Sequence, residues 1–202
     1  RCEGEGDKSL AYWKEAHRQV FERECREDCG IGFTEDMICV CEEFDVVYKE
    51  ETAVIEVMKP EDYEEILDLW LNTPGMGLNE SDDSKEGITA YLKRNPNTCF
   101  VARKGARIVG VILSGHDGRR GCLYHVCVRK GYRRQGVGKA MVVACMEALR
   151  KEQINKVSLI AFTKNDIGNA FWNKIGWTER EDLNYYDFTL NEKNITAFIE
   201  ED

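Results

Sequence analysis

The 202-residue sequence has only three prolines and three histidines, and nowhere a run of about 18 uncharged apolar residues, the length a membrane-spanning helix needs. A charged-then-apolar leader is also missing from its start, so the chain is expected to be cytoplasmic rather than exported or membrane-spanning. It opens at Arg1 rather than at a methionine, as a processed, tag-cleaved or truncated chain would. An excess of basic charge is missing too. Against 37 Asp and Glu stand 28 Lys and Arg, a net charge of −9, and no basic stripe is interleaved with aromatics. The overall field therefore does not attract nucleic acid. Nor is there an even set of cysteines: nine, with no export signal, read as mostly thiols rather than a disulfide framework.

What is present is the composition of a folded domain, 43% apolar and 32% charged. Its charge is uneven. Residues 1–50 hold seven basic and fourteen acidic residues, a net of −7, which leaves −2 for the remainder. Two units are expected, residues 1–50 and residues 51–202. In the first, Cys25, Cys29, Cys39 and Cys41 could in principle give four thiolates to zinc. Their spacing is not that of paired CxxC knuckles, and Cys39 and Cys41 lie in the apolar run Met37–Cys41, where cysteine behaves as a small hydrophobe. No metal site is expected.

Residues 9–28 show helical spacing of Trp13, Ala16, Val20 and Phe21, and residues 37–48 read as extended. One helix and one strand cannot enclose a core, which points to association through this segment, a homodimer being one form. From residue 52 the pattern changes. Thr52–Met58 alternates as a strand, Pro60 suits a first helical turn, and Ile66, Leu67, Trp70 and Leu71 form a helical stripe. A loop follows over Asn72–Leu78, then a helix over residues 82–94 starting near Asp82 or Asp83 and ending at Asn95-Pro96-Asn97. Cys99–Ala102 and Ile108–Leu113 read as a hairpin turning at Gly105, and Cys122–Val128 as a third strand.

That strand runs into Arg129-Lys130-Gly131-Tyr132-Arg133-Arg134-Gln135-Gly136-Val137-Gly138-Lys139, after which Val137, Ala140, Met141 and Ala144 mark a helix. A strand, a glycine turn and a helix N-terminus let several backbone N–H groups converge on a phosphate or pyrophosphate. Neither familiar phosphate motif fits. A dinucleotide fingerprint would need a small residue at Met141, and a P-loop would need glycine at Arg133 and Ser or Thr at Ala140.

What does match is Arg133-x-x-Gly136-x-Gly138, which resembles the [Q/R]xxGx[G/A] signature of the GNAT N-acetyltransferase superfamily. Downstream, a strand over Val157–Phe162 leads to Asn165-x-x-Gly168-x-x-Phe171-Trp172-x-x-x-Gly176-Trp177, similar to that superfamily's Nxx[A/G]xxFYxxxGF segment. The order of elements across residues 52–190, ending in a strand over Leu183–Leu190, also resembles it. The resemblance implies an α/β fold of the α+β kind: a mixed, mostly antiparallel central sheet flanked by helices, carrying an N-terminal helix-strand appendage. It further implies an acetyltransferase moving an acetyl group from acetyl-CoA, by direct attack, to a primary amine of a small molecule, peptide or protein. The pyrophosphate would lie on Arg133, Arg134, Gln135, Gly136, Val137, Gly138 and Lys139. The pantetheine arm would pair with the backbone of Val126 and Val128, beside Asn165 and Trp172. Asn165 would otherwise serve as a helix N-cap.

The sequence departs from the family where the chemistry is heaviest. The motif tyrosine, often the general acid, is Trp172, whose indole N–H is no acid near neutral pH. The strand position at which some members carry a glutamate base is Cys122. By two-residue alternation Tyr124 shares a face with Cys122 and Val126 and is the first candidate acid, while His125 points to the other side. His116 and Asp117 could supply a base, or else simply form a turn. The acidic segment Asn79–Asp83, beside the loop Pro74–Leu78, would favour a cationic amine.

Residues 3–48, with Glu5–Trp13, His17, Phe21, Glu24-Cys25 and Val40–Phe44, resemble the C-terminal half of an ASCH domain, a PUA-like barrel family associated with RNA contact. A structural appendage is the plainer reading of so short a piece. The alternative function is a CoA-binding regulatory or RNA-associated protein without efficient acetyl transfer.

Overall fold

A computed structural model describes residues 52–199. The helix expected over residues 9–28, the extended run 37–48 and the cysteines Cys25, Cys29, Cys39 and Cys41 lie outside the described residues. The chain divides into two compact units at Glu50/Glu51.

In the second unit, β1 (Val54–Val57) leads through the 3-10 turn Pro60–Asp62 into α1 (Tyr63–Leu71). Proline sits in the first turn, where its missing N–H costs nothing. The buried stripe of α1 is Tyr63, Ile66, Leu69 and Trp70. The sequence reading placed Leu71 on this stripe, but Leu71 lies a further 100° round the helix from Trp70 and is exposed, while Leu69 takes the buried place. Burying Ile66, Leu69 and Trp70 stabilises by about 2 kcal/mol each.

The loop expected over Asn72–Leu78 is not wholly irregular. Gly77–Asn79 form a short strand, β2, antiparallel to β7 (Thr196–Phe198), so the far C-terminal segment folds back onto the loop after α1. Helix α2 (Lys85–Arg94) begins later than residue 82, because Ser84 is the residue whose side chain accepts the N–H of Gly87 and caps it.

β3 (Phe100–Lys104), β4 (Arg107–His116) and β5 (Gly121–Val128) form an antiparallel meander. The main sheet has the order β1-β3-β4-β5-β6, and only β5 with β6 (Val157–Leu159) is parallel. Helix α3 (Val137–Lys151) provides the crossover between them, and α4 (Asp166–Lys174) follows. β4 is buried on both faces as its continuous apolar run foretells: Val111 and Leu113 pack into a core under α1 and α2, Val109 and Ile112 into a second core under α3.

The strand expected over Leu183–Leu190 does not form; Leu183, Tyr185, Tyr186, Phe188 and Leu190 are exposed. Alternating side chains give a segment the capacity to pair but do not choose its partner, and the last pairing of the chain goes to Thr196–Phe198 instead. Strand β6 likewise stops at Leu159, short of Phe162. Among the described residues no helix is long and apolar enough to cross a membrane.

Candidate functional site

Two features of the sheet open a site beside β5. The first is on its β6 side, where pairing covers only Gly121–Leu123 against Val157–Leu159. From Tyr124 to Val128 that edge of β5 has no strand beside it among the described residues, so its backbone can accept an extended ligand as an added strand. The second is a β-bulge. Val111 pairs with Cys127 and Leu113 with Tyr124, so Ile112 alone stands opposite both His125 and Val126.

The bulge overturns the alternation argument for this strand. An extra residue resets the parity, so His125 and Val126 cannot be assigned by counting in twos from Tyr124. Tyr124 and His125 both face the side of α1 and α2, where Tyr124 meets the Tyr91 ring edge-on with centroids 6.2 Å apart and His125 lies 4.8 Å from Trp70. Val126 packs instead into the core under α3. Tyr124 and Val126 therefore do not share a face.

At the C-terminal end of β5 the chain makes the 3-10 turn Lys130–Tyr132 and enters α3 through two left-handed residues, Arg134 (φ 66°) and Gly136 (φ 82°). The first regular helical bond is from Ala140 N–H to the Gly136 carbonyl. The successive N–H groups of Arg134, Gln135, Gly136, Val137, Gly138 and Lys139 find no acceptor among the described residues. A Cβ on Gly136 would meet nothing within 4 Å among the described residues, so the turn is open on that side, whereas one on Gly138 would meet the Phe171 ring at 3.3 Å. Unpaired amides in a left-handed turn, at the positive end of a 15-residue helix, fit a pyrophosphate. Arg134 and Lys139 make no ion pair among the described residues. Arg133 is committed differently: its Nε donates to the Val128 carbonyl at 2.8 Å and ties the loop to the strand end.

On the far side of the open edge, Asn165 caps α4, its Oδ1 accepting the Gly168 N–H at 2.9 Å, and its amide Nδ2 has no acceptor among the described residues. Trp172 lies between Phe171 and Trp177, with centroids 5.0 and 5.1 Å away, and packs against the α3 core.

His116 and Asp117 are not brought to this site. They form the turn between β4 and β5: His116 Nδ1 accepts the Gly118 N–H at 3.1 Å, and Asp117 Oδ1 accepts the N–H groups of Arg120 and Arg119. Those two donors hold the Asp117 carboxyl below the usual carboxylate range, which suits a turn and not a base. His116 pairs across from Gly121, five residues from Val126, which places the turn about 16 Å along the strand from the bulge. Burial, with a hydrogen bond to Cys122, raises the Tyr124 phenol above its ordinary value, so it keeps its proton at neutral pH and does not serve as a base.

The acidic segment is also more committed than its sequence suggests. Asp82 is bonded by Asn194 Nδ2 at 2.8 Å. Asp83 is buried, with Oδ2 accepting the Asn79 N–H and Oδ1 2.6 Å from His125 Nε2. A cleft of about 580 Å³ opens on the outer side of Asp83, lined by Tyr63, Leu67, Leu78, Ile195 and the carboxylates Glu80 and Glu86. The His125–Asp83 pair is the feature that sequence reading missed. Only the bulge, invisible in the residue pattern, turns His125 towards Asp83.

A family model described as Acetyltransferase (GNAT) family matches residues 63–177, and one described as ASCH domain matches residues 1–48. An acetyltransferase of Photorhabdus laumondii is 29% identical over 126 residues, covering 62% of this chain and 87% of the relative. Among solved structures, an aminoglycoside acetyltransferase from an uncultured soil metagenomic sample, in complex with sisomicin, superposes with a TM-score of 0.55 at 21% identity, covering 70% of this chain and 99% of that one. An N-acetyltransferase of Thermoplasma acidophilum in complex with coenzyme A gives 0.54 at 16% identity, covering 62% and 89%. At such identities the likeness is one of fold.

Proposed function

The chain belongs to the GNAT acetyltransferase family and is an acetyltransferase, and we propose that it takes its acetyl group from acetyl-CoA and delivers it to a primary amine of a small molecule, peptide or protein. The observation that carries this reading is the run of unpaired backbone N–H groups from Arg134 to Lys139, which opens directly beside the unpaired edge Tyr124–Val128.

In this reading the pyrophosphate lies on the amides of Arg134 through Lys139, with Arg134 and Lys139 adding charge and Arg133 fixing the loop to Val128. The pantetheine arm lies along Val126 and Val128, near the Asn165 Nδ2 and the Trp172 ring. Bound there, acetyl-CoA supplies a thioester whose acyl carbon is open to an amine. The bulge frees backbone N–H groups from the β4–β5 ladder to meet the oxyanion of the tetrahedral intermediate, a contribution of about 3 kcal/mol where such donors have been removed in other enzymes. Tyr124, which its raised pKa keeps protonated, hydrogen-bonds the departing thiolate, which takes its proton from solvent. The thiolate's reference pKa of about 8.5 keeps that task light. The cleft with Glu80 and Glu86 on its wall suits an acceptor that arrives as an ammonium ion on an apolar body.

Calorimetric titration with acetyl-CoA and CoA, with NADH and ATP as controls, tests the reading. Binding of both CoA species without response to the controls is expected. A folded protein that binds neither overturns it.

A further inference from the structure

An amine at neutral pH carries one proton too many to attack a thioester, and neither Trp172, Tyr124, His116 nor Asp117 can remove it. Among the described residues the bulge of β5 supplies another candidate. His125 lies on the bulge, one residue before Val126, with a side chain only 13% exposed and with φ of +48°, a conformation uncommon for any residue but glycine. Its Nε2 is held 2.6 Å from Asp83 Oδ1. Asp83 is itself fixed from two sides: Oδ2 accepts the Asn79 N–H at 2.6 Å, and its backbone carbonyl accepts the Tyr63 hydroxyl at 2.9 Å. An acidic partner on one ring nitrogen sets the tautomer, placing the proton on Nε2 and the lone pair on Nδ1, which has no partner among the described residues. Trp70 walls the imidazole, and its buried Nε1–H has no acceptor among the described residues.

We propose that His125, oriented by Asp83, is the general base that receives the proton of the acceptor ammonium at Nδ1, through water. This assignment rests on the acetyl-transfer reading above. The ammonium gives one proton to Nδ1, and the freed nitrogen lone pair forms the C–N bond. The C–S bond of the tetrahedral intermediate then breaks, the amide nitrogen loses its second proton, and the thiolate takes up a proton as CoA thiol. His125 returns its proton to solvent. Asp83 lines the cleft and His125 does not, so an amine held there passes its proton to Nδ1 through water rather than directly. The ionisable groups lining the cleft with Asp83 are Tyr63 from α1, Glu80 after β2, and Lys85 and Glu86 from α2, Lys85 being held by Glu64 at 2.9 Å.

The test uses the full chain with Asp83→Asn and His125→Gln variants. Thiol release from acetyl-CoA is followed with n-hexylamine, tyramine and spermidine across pH, and CoA affinity is measured for each protein. The expectation is CoA affinity within about twofold throughout, and a loss of about 100-fold in kcat for His125→Gln near neutral pH, a typical worth of general-base catalysis. That loss should shrink as the pH rises towards the amine's own pKa, where the acceptor needs no base. A deficit of the same size at every pH, or none, overturns the assignment while leaving acetyl transfer in place. Failure of the unaltered protein to bind CoA overturns the acetyl-transfer reading itself. Independently of any amine, 15N imidazole shifts of His125, assigned through the His125→Gln variant, should report the tautomer that carries its proton on Nε2, the nitrogen facing Asp83; a neutral ring with the proton on Nδ1 overturns the assignment.

Discussion

At Gly136 a side chain would have room but no reason to be tolerated. The residue sits at φ 82°, which costs an L-residue about 1–2 kcal/mol, and its missing Cβ leaves the turn open on that side. Gly136→Glu adds strain and a carboxylate where a pyrophosphate is proposed, and should weaken CoA binding by more than about 30-fold, near 2 kcal/mol. Gly176, at φ 92° with equally open surroundings outside the loop, provides the control. Gly176→Glu should destabilise comparably and leave CoA affinity unchanged; equal loss in both would move the site away from the loop. A second residue-scale prediction concerns the buried thiols. Burial pushes the Cys99 thiol up to about 11 and that of Cys127 up to about 12. Between the unfolded value of about 8.5 and those values the unfolded chain loses thiol protons that the folded chain keeps, so their contribution is complete below about pH 8.5 and declines as pH rises. Denaturant midpoints should fall over that range, and less steeply in Cys99→Ala; identical slopes in the two proteins would contradict the account.

At the scale of elements, Gly87 shows why propensity is a poor guide inside α2. Replacing a helical glycine by alanine ordinarily stabilises by about 1 kcal/mol. Here a Cβ would come within 2.3 Å of the Asp82 carbonyl oxygen and 2.5 Å of that of Ser81, both backbone atoms of the capping turn. Gly87→Ala should therefore lower the melting temperature, by several degrees if the cost reaches about 2 kcal/mol; a rise would mean that the turn yields. The same contrast between local pattern and tertiary geometry divides what the sequence discloses from what it hides. Helix α1, the β3–β4 hairpin, the strand-loop-helix at Gly136 and the Asn165 cap are all written in short-range signals: an apolar stripe, Gly105, paired glycines and an Asx side chain three residues before its donor. The pairing of β2 with β7 joins residues more than a hundred positions apart, and nothing local distinguishes Thr196–Phe198 from the more apolar Leu183–Leu190. The bulge is hidden in the same way. Ile112 opposing two residues is a relation between strands, and it alone turns His125 to the side of Trp70 and Asp83.

For the whole molecule the question is what residues 1–50 add. The chain divides at Glu50/Glu51, and the family match to acetyltransferases lies wholly in residues 63–177. Every group assigned to CoA, to the oxyanion and to proton transfer belongs to that second unit. A chain of residues 51–202 should therefore unfold cooperatively and bind CoA with an affinity within about threefold of the full chain, a difference below about 1 kcal/mol. The sign of any small difference follows from charge. Residues 1–50 carry a net −7 against −2 for the rest, so their removal takes negative charge away from a polyanionic nucleotide and should strengthen binding slightly at low salt. That gain should vanish near 0.15 M salt, where the Debye length is about 8 Å. Loss of CoA binding from a folded 51–202 chain would instead mean that the ASCH-like unit completes the site, and the acetyltransferase unit would have to be described as dependent on it.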